Sequence, residues 1–135
     1  MHKGFLKIAA IAGMLSVLLG AFAAHALRDT VSERAISIFE TAVLYQFYHV
    51  IALMVTGILY IAFPYKTIVW AGYFFIGGML LFCGSLYALA VLQAMVMPGY
   101  KWLGPLTPIG GFCFIAGWLL LFISFFKKQQ PTVFS

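Results

Sequence analysis

Apolar residues run along this chain in four long stretches, and three short groups of polar and turn-forming residues separate them. The stretches cover residues 5–26, 39–63, 67–94 and 106–126. A membrane crossing takes about 20 predominantly apolar residues at about 1.5 Å per residue, so each stretch is long enough to span a bilayer as an α-helix. We therefore predict an all-α integral membrane protein, with residues 1–135 forming a single four-helix bundle of up-down topology.

The three connections between the stretches have the composition of turns. Residues 64–66 make a tight turn, and residues 97–105 combine Pro and Gly with aromatic side chains that favour the membrane interface. The first connection, residues 27–39, holds the densest group of charges. Within it, Thr30-Val31-Ser32-Glu33 fits a capping box, which predicts a short interfacial helix leading into the second span.

The first stretch has an alternative interpretation as a cleaved signal peptide. His2, Lys3 and Lys7 resemble the basic start of such a peptide, and Ala24-His25-Ala26 resembles a cleavage site. Against this, the apolar part is longer than that of a usual signal peptide. Small residues also recur along it at helical spacing, which is typical of a helix that packs against other helices. We interpret the stretch as a span.

Glycines on the third and fourth stretches also suggest close helix packing. Gly77 and Gly84 fall on the third stretch, and Gly110 and Gly117 fall on the fourth, each pair at a spacing of seven residues. Glycine in a membrane helix usually allows a neighbouring backbone to approach closely. We expect these glycines to serve packing.

Composition agrees with a membrane location. Hydrophobic residues make up 64% of the chain and charged residues 8%, whereas soluble domains are about half apolar and about a quarter charged. The net charge of +5 comes from cations scattered at segment ends, so no basic stripe indicates nucleic-acid binding. Five cations fall on the side of the termini and three on the other side, which predicts a cell-membrane protein with cytoplasmic termini. The five are Lys3, Lys7, Lys66, Lys127 and Lys128, and the three are Arg28, Arg34 and Lys101.

Few groups inside the predicted spans can carry chemistry. His25 and Glu40 should lie at a similar depth, either paired with each other or hydrated at the interface, and the sequence leaves both open. Gln46 and His49 are three residues apart and share a helix face, with Glu40 on the opposite side. His49 lies roughly 14 Å deeper than Glu40, near the midplane, where it serves either packing or ligand and proton contacts.

No pattern in the chain indicates an enzyme, a cofactor or a metal site. Cys83 and Cys113 lie inside apolar stretches without metal-ligand spacing, and no phosphate-binding loop, HExxH motif or nucleophile elbow is present. Three acidic residues and three histidines at different depths do not form a catalytic constellation. We predict a non-enzymatic protein.

Four motifs together resemble the signatures of the domain of unknown function 423 family of small membrane proteins. They are Gly20–Leu27 (GAFAAHAL), Phe39–His49 (FETAVLYQFYH), Phe82–Tyr87 (FCGSLY) and Thr107–Gly111 (TPIGG). The match covers nearly the whole chain in the expected order. Ala23 or Ala24 stands where the family often has glycine, a departure that affects how closely two backbones approach there. The resemblance implies a membrane location and four helices, and it implies no known activity.

Because successive helices alternate in direction, all four motifs would lie in the half of the membrane opposite the termini. The count of cations predicts that this is the non-cytoplasmic half. We predict that any functional site lies there, and that the protein binds a lipid-like molecule or a membrane protein partner besides the bilayer itself. A homo-oligomer is equally compatible with the small-residue faces. The alternative is a small proton-coupled transporter in which Glu40 and the histidines titrate. The predicted site residues are His25, Glu40, Gln46, His49, Ser85, Tyr87 and Thr107.

Overall fold

The computed structural model describes residues 1–96 and 103–127. These residues form four helices, each long and apolar enough to cross a membrane, and they contain no strand. The helices are α1 (Lys3–Leu27), α2 (Glu33–Leu59), α3 (Lys66–Ala94) and α4 (Leu106–Phe125). The predicted all-α, four-helix membrane fold is therefore confirmed. Most of the predicted connection at 97–105 lies outside the described residues.

The start of α2 differs from the prediction. The Ser32 hydroxyl accepts a hydrogen bond from the Ala35 amide at 3.3 Å, so α2 begins at Glu33 rather than near residue 39. The predicted interfacial helix thus leads straight into the second span, as expected, and residues 33–38 form one continuous helix with it. Thr30 does not cap α2, because its hydroxyl donates to the carbonyl of Ala26 at 2.9 Å, at the end of α1.

The start of α1, the end of α4 and the α2–α3 turn lie at one end of the bundle, which we call the terminal end. There the His2 amide donates to the Gly57 carbonyl at 3.0 Å. The Tyr65 hydroxyl donates to the Lys127 carbonyl at 3.5 Å, which joins the turn to the end of α4. The α1–α2 connection, the end of α3 and the start of α4 lie at the other end, which we call the far end.

Aromatic rings packed against glycines hold the helices together. Phe5 of α1 is 1% exposed, and its ring lies against Gly72 of α3. In the same way, Phe114 of α4 lies against Gly78 of α3, and Phe75 of α3 lies against Gly117 of α4. A glycine has no side chain to keep a ring away from its backbone, and small residues of this kind allow membrane helices to pack closely.

Gly77 and Gly84 do not take part in this packing. A Cβ atom added at either position would meet nothing within 4 Å in the described structure. The packing predicted for these two glycines is therefore wrong, whereas Gly110 and Gly117 are both buried against α3. Gly77 and Gly84 leave open space along α3.

Two of the helices contain a π-helical turn, Ala23–Leu27 in α1 and Met79–Cys83 in α3. A π turn contains an extra residue, so the side chains beyond it point in a direction that regular α-helical spacing does not give. In α3 this turn directly precedes Ser85 and Tyr87. It therefore determines which neighbouring helix each of these two side chains meets.

Candidate functional site

A chain of hydrogen bonds joins three helices through the Gln46 side chain. The Tyr87 hydroxyl of α3 donates to Oε1 of Gln46 in α2 at 2.8 Å, and Nε2 of Gln46 donates to the Ala12 carbonyl of α1 at 2.9 Å. Gln46 is 8% exposed, so both bonds form in the interior. A buried amide without such partners would be costly in an apolar surrounding, and these bonds satisfy it on both sides.

Ser85 and Thr107 form a second polar contact, between α3 and α4. Their hydroxyl oxygens lie 2.7 Å apart, and the Ser85 hydroxyl also lies 2.9 Å from the Phe82 carbonyl. A hydroxyl has one proton and a carbonyl can only accept, so Ser85 donates to Phe82 and Thr107 donates to Ser85. This contact joins the start of α4 to the part of α3 that is nearer the far end.

His49 lies in the interior between α2 and α4. Its Nδ1 atom lies 2.7 Å from the Tyr45 carbonyl, and the Trp118 indole nitrogen lies 3.4 Å from its Nε2 atom. A carbonyl only accepts and an indole N–H only donates, so the contacts assign a neutral imidazole with its proton on Nδ1. The ring also stacks on Phe114, with centroids 3.4 Å apart. Both ring nitrogens are engaged within the protein.

His25 and Glu40 lie on the outer surface of the bundle. Both side chains are exposed, and neither makes a hydrogen bond or ion pair within residues 1–96 and 103–127. The structure thus does not join them to each other. Glu40 faces away from the buried Gln46 and His49, as the helical spacing in α2 indicated.

The seven predicted site residues therefore form three separate interior contacts and two exposed side chains. The structure brings Gln46 to Tyr87, brings Ser85 to Thr107, and places His49 apart from both pairs. Sequence reasoning missed Ala12 and Trp118, which complete two of these contacts. Ala12 contributes only its backbone carbonyl, which no side-chain pattern could reveal. That these residues make a functional site stays a prediction.

A groove of about 330 Å³ lies between α1 and α3, and the Gln46–Tyr87 bond forms part of its wall. The remaining wall is almost entirely aliphatic. Gly84 borders the groove, and its missing side chain keeps the space open. The lining consists of Ile8, Ala12, Leu15 and Leu19 from α1, Gln46 from α2, and Ile76, Met79, Leu80, Gly84 and Tyr87 from α3.

Two further concave regions lie on the bundle surface. A groove of about 270 Å³ between α1 and α2 is bordered by Gly20, Glu40 and Phe47. An apolar pocket of about 210 Å³ lies near the far end, between Phe22, Phe39 and Val91. Within the described residues, no group of three or more His, Cys, Asp or Glu side chains is arranged to hold a metal ion.

Comparison with known proteins identifies the family. A family model described as "Protein of unknown function (DUF423)" matches residues 19–111. A UPF0382 membrane protein of Staphylococcus haemolyticus is 42% identical over 125 residues, which are 93% of this chain and 97% of the relative. A UPF0382 membrane protein of Staphylococcus aureus is 39% identical over 93% of this chain and 97% of its own.

A third relative, from Staphylococcus saprophyticus, is 38% identical over 93% of this chain and 98% of its own. No solved structure matches the chain. The matched segment contains all the motifs quoted above, and the described structure has four helices that can span a membrane. The chain therefore belongs to the DUF423 family, whose curated relatives are UPF0382 membrane proteins.

Proposed function

We propose that this protein is a non-enzymatic binding protein of the cell membrane, and that it holds one lipid-like molecule in the groove between α1 and α3. The observation that carries the proposal is the Gln46–Tyr87 hydrogen bond in the wall of an otherwise aliphatic groove of about 330 Å³. Ligand sites typically have a volume of about 300–1,000 Å³, with apolar walls and a few polar groups. The groove has both properties.

The polar groups of the wall offer a ligand both a donor and an acceptor. The Gln46 amide has a second N–H beyond the one bound to Ala12, and the Tyr87 oxygen has free lone pairs. A hydroxyl, amide or carbonyl group on a long hydrocarbon would match this arrangement. The aliphatic walls would cover the hydrocarbon part of the same molecule.

Open access from the lipid supports a ligand that arrives through the bilayer. Leu80 of α3 is 71% exposed and Leu15 of α1 is 43% exposed, so the two walls of the groove reach the outer surface. A molecule dissolved in the hydrocarbon core can enter between α1 and α3 without passing through water. The Tyr87 hydroxyl reaches Gln46, which lies near the middle of α2, so the polar group of the ligand would lie near the middle of the bundle.

The test is native mass spectrometry of full-length protein extracted gently from its own membrane, beside a Gly84→Leu variant. Gly84 borders the groove and a Cβ atom there meets nothing within 4 Å, so a side chain can begin at this position without a clash, and leucine is expected to reduce the space for a ligand. Gly77→Leu is the matched control, because Gly77 is equally open and does not border this groove. We expect a stoichiometric small molecule on the native protein and on Gly77→Leu, and its loss from Gly84→Leu.

The same molecules on all three proteins would contradict the proposal, as would bulk lipid alone on the native protein. Tyr87→Phe adds a second readout, because it keeps the aromatic ring and removes the hydroxyl. We expect this variant to retain a purely hydrocarbon ligand and to bind a ligand with a polar group more weakly.

The alternative, a proton-coupled transporter, has less support from the geometry. Glu40 is exposed beside α1, whereas His49 is buried against Phe114, and no contact joins the two. Both nitrogens of His49 are already engaged by Tyr45 and Trp118. Solute uptake by reconstituted vesicles that disappears in Glu40→Gln would favour the transporter over the binding protein.

A further inference from the structure

The surface formed by α1 and α2 carries a carboxyl group in an unusual place. Glu40 lies about 10 Å inside the start of α2, at 1.5 Å per residue, and its side chain is exposed on the outside of the bundle. It makes no hydrogen bond or ion pair with any described residue. Ionisable side chains inside membrane spans normally face protein, trapped water or a paired group. With 27 residues α2 is longer than the hydrocarbon core is thick, so Glu40 lies near the edge of that core, where its unpaired carboxyl is available to a basic group of another chain.

His25 lies at nearly the same depth. A Cβ atom at Gly20 of α1 would lie 3.4 Å from Val43 of α2, and one at Gly13 would lie 3.3 Å from Val50, which defines the antiparallel register of the two helices. This register places His25 level with residue 38, about 3 Å from the level of Glu40. The imidazole is also exposed and makes no hydrogen bond or ion pair within the described structure.

His25 and Glu40 also lie on the same side of the helix pair. Val17 and Glu40 border the same groove between α1 and α2. Val17 and Ala21 are four residues apart in the regular part of α1, so they share one face. His25 follows four residues later inside the wider π turn Ala23–Leu27, so it stays close to that face, and all three residues are exposed. A complementary base and acid thus lie on one surface, at one depth, and unbonded to each other.

We propose that two copies of this chain associate side by side through this α1–α2 surface, with His25 of each copy bound to Glu40 of the other. In a two-fold dimer, if one residue meets a second across the interface, the second meets the first as well. When two copies have the same orientation in the membrane, residues that meet across the interface must also lie at a similar depth. His25 and Glu40 satisfy both conditions, and the arrangement forms two equivalent acid–base contacts.

The surface between the two contacts permits close approach. Ala21 presents only a methyl group, and Gly20 presents no side chain beside the groove. Leu44 and Phe47 follow Glu40 along the exposed side of α2, and they would supply apolar contact toward the middle of the membrane. Small residues at a helix interface and polar side chains that bond across it are the main sources of affinity between membrane helices.

The test measures energy transfer between two populations of full-length protein, each labelled at its C-terminus, in liposomes over a range of protein-to-lipid ratios. We expect the native chain to dimerise. We expect His25→Ala and Glu40→Ala each to raise the dissociation constant at least about tenfold, which corresponds to about 1.4 kcal/mol. Glu33→Ala is the control, because it removes an exposed acid at the start of α2, outside the proposed contact.

Mixing the two variants distinguishes contacts between copies from contacts within one copy. A mixed dimer keeps one intact contact, from the histidine of the Glu40→Ala chain to the acid of the His25→Ala chain. We therefore expect mixed dimers to be tighter than either variant alone. We also expect the double exchange His25→Glu/Glu40→His to dimerise like the native chain.

Three results would overturn the proposal. They are a native chain that stays monomeric at all ratios, a dimer that is insensitive to both alanine variants, and mixed variants that associate no better than each variant alone. Both side chains are exposed, so at protein concentrations low enough to keep every chain monomeric, reversible unfolding of each variant should match that of the native chain. His25, Glu33 and Glu40 do not border the α1–α3 groove. Each variant should therefore still copurify with the ligand of that groove, so a failure of the dimer proposal can be distinguished from a failure of the proposed function.

Discussion

The Tyr87 hydroxyl lies 2.8 Å from the side-chain carbonyl of Gln46, and this bond joins α3 to α2 in the interior of the bundle. Because the Gln46 amide also binds the Ala12 carbonyl, the same side chain holds α1. One amide thus links three helices by hydrogen bonds. It also places polar atoms in the wall of the groove that we propose as a ligand site.

Removal of either partner should destabilise the bundle. We expect Tyr87→Phe and Gln46→Leu each to lower the free energy of unfolding by about 0.5–2 kcal/mol, since hydrogen bonds between membrane helices contribute in this range. In the double variant the two losses should not add, because both remove the same bond. The measurement is reversible unfolding in mixed detergent micelles, followed by circular dichroism.

Tyr48→Phe is the control for that experiment. Tyr48 is exposed, and its hydroxyl makes no hydrogen bond within the described structure, so the change should leave the stability within about 0.5 kcal/mol of the native value. Strictly additive losses in Tyr87→Phe and Gln46→Leu would show that the two side chains act independently.

Gly110 should tolerate no side chain. A Cβ atom there would overlap the backbone nitrogen of Phe82 and lie 2.7 Å from its Cα atom, and a backbone cannot move aside as a flexible side chain can. We expect Gly110→Ala to lower the free energy of unfolding by about 1–3 kcal/mol, the usual effect of overpacking. Gly77→Ala, which meets nothing within 4 Å, should be neutral or slightly stabilising. Equal stabilities of the two variants would contradict the packing described for α3 and α4.

The tautomer of His49 can be observed directly. The contacts with Tyr45 and Trp118 assign the proton to Nδ1 and leave Nε2 as an acceptor. In the ¹⁵N spectrum of histidine-labelled protein in bilayers, we expect one protonated and one unprotonated ring nitrogen. Trp118→Phe should shift the Nε2 resonance and leave Nδ1 nearly unchanged, and Trp70→Phe, on the exposed side of α3, should shift neither. A proton on Nε2 would exclude the bond from Trp118.

The orientation of the protein in the membrane can be tested through its charges. Five cations on the terminal side against three on the other side predict cytoplasmic termini. We expect a fluorescent reporter that folds only in the cytoplasm to be bright when fused to either terminus. Replacing Lys3 and Lys7 with glutamine leaves three cations on each side, and it should produce a mixed orientation. A dark native fusion at both termini would reverse the assignment of the proposed site to the non-cytoplasmic half.

Several features of the fold could be derived from the sequence alone. The four spans follow from hydropathy and length, because the thickness of the hydrocarbon core sets how many apolar residues a crossing needs. The shared face of Gln46 and His49, opposite Glu40, follows from the 3.6-residue period of α2. These properties depend only on residues near one another in the chain.

The polar contacts could not be derived in the same way. The sequence leaves open whether His25 and Glu40 pair with each other, and in the structure they are unbonded, while Gln46 binds Tyr87 and Ser85 binds Thr107. Which side chains meet depends on the rotation and register of one helix against another. In α3 the π turn at Met79–Cys83 changes the direction of every later side chain.

The groove likewise exists only in the tertiary structure. Gly84 and Gly110 look alike in the sequence, both small and both within apolar stretches, but one borders open space and the other touches a backbone. Local periodicity determines which way a residue points from its own helix axis. Only the packing of distant segments decides whether another helix, or empty space that a ligand can fill, lies in that direction.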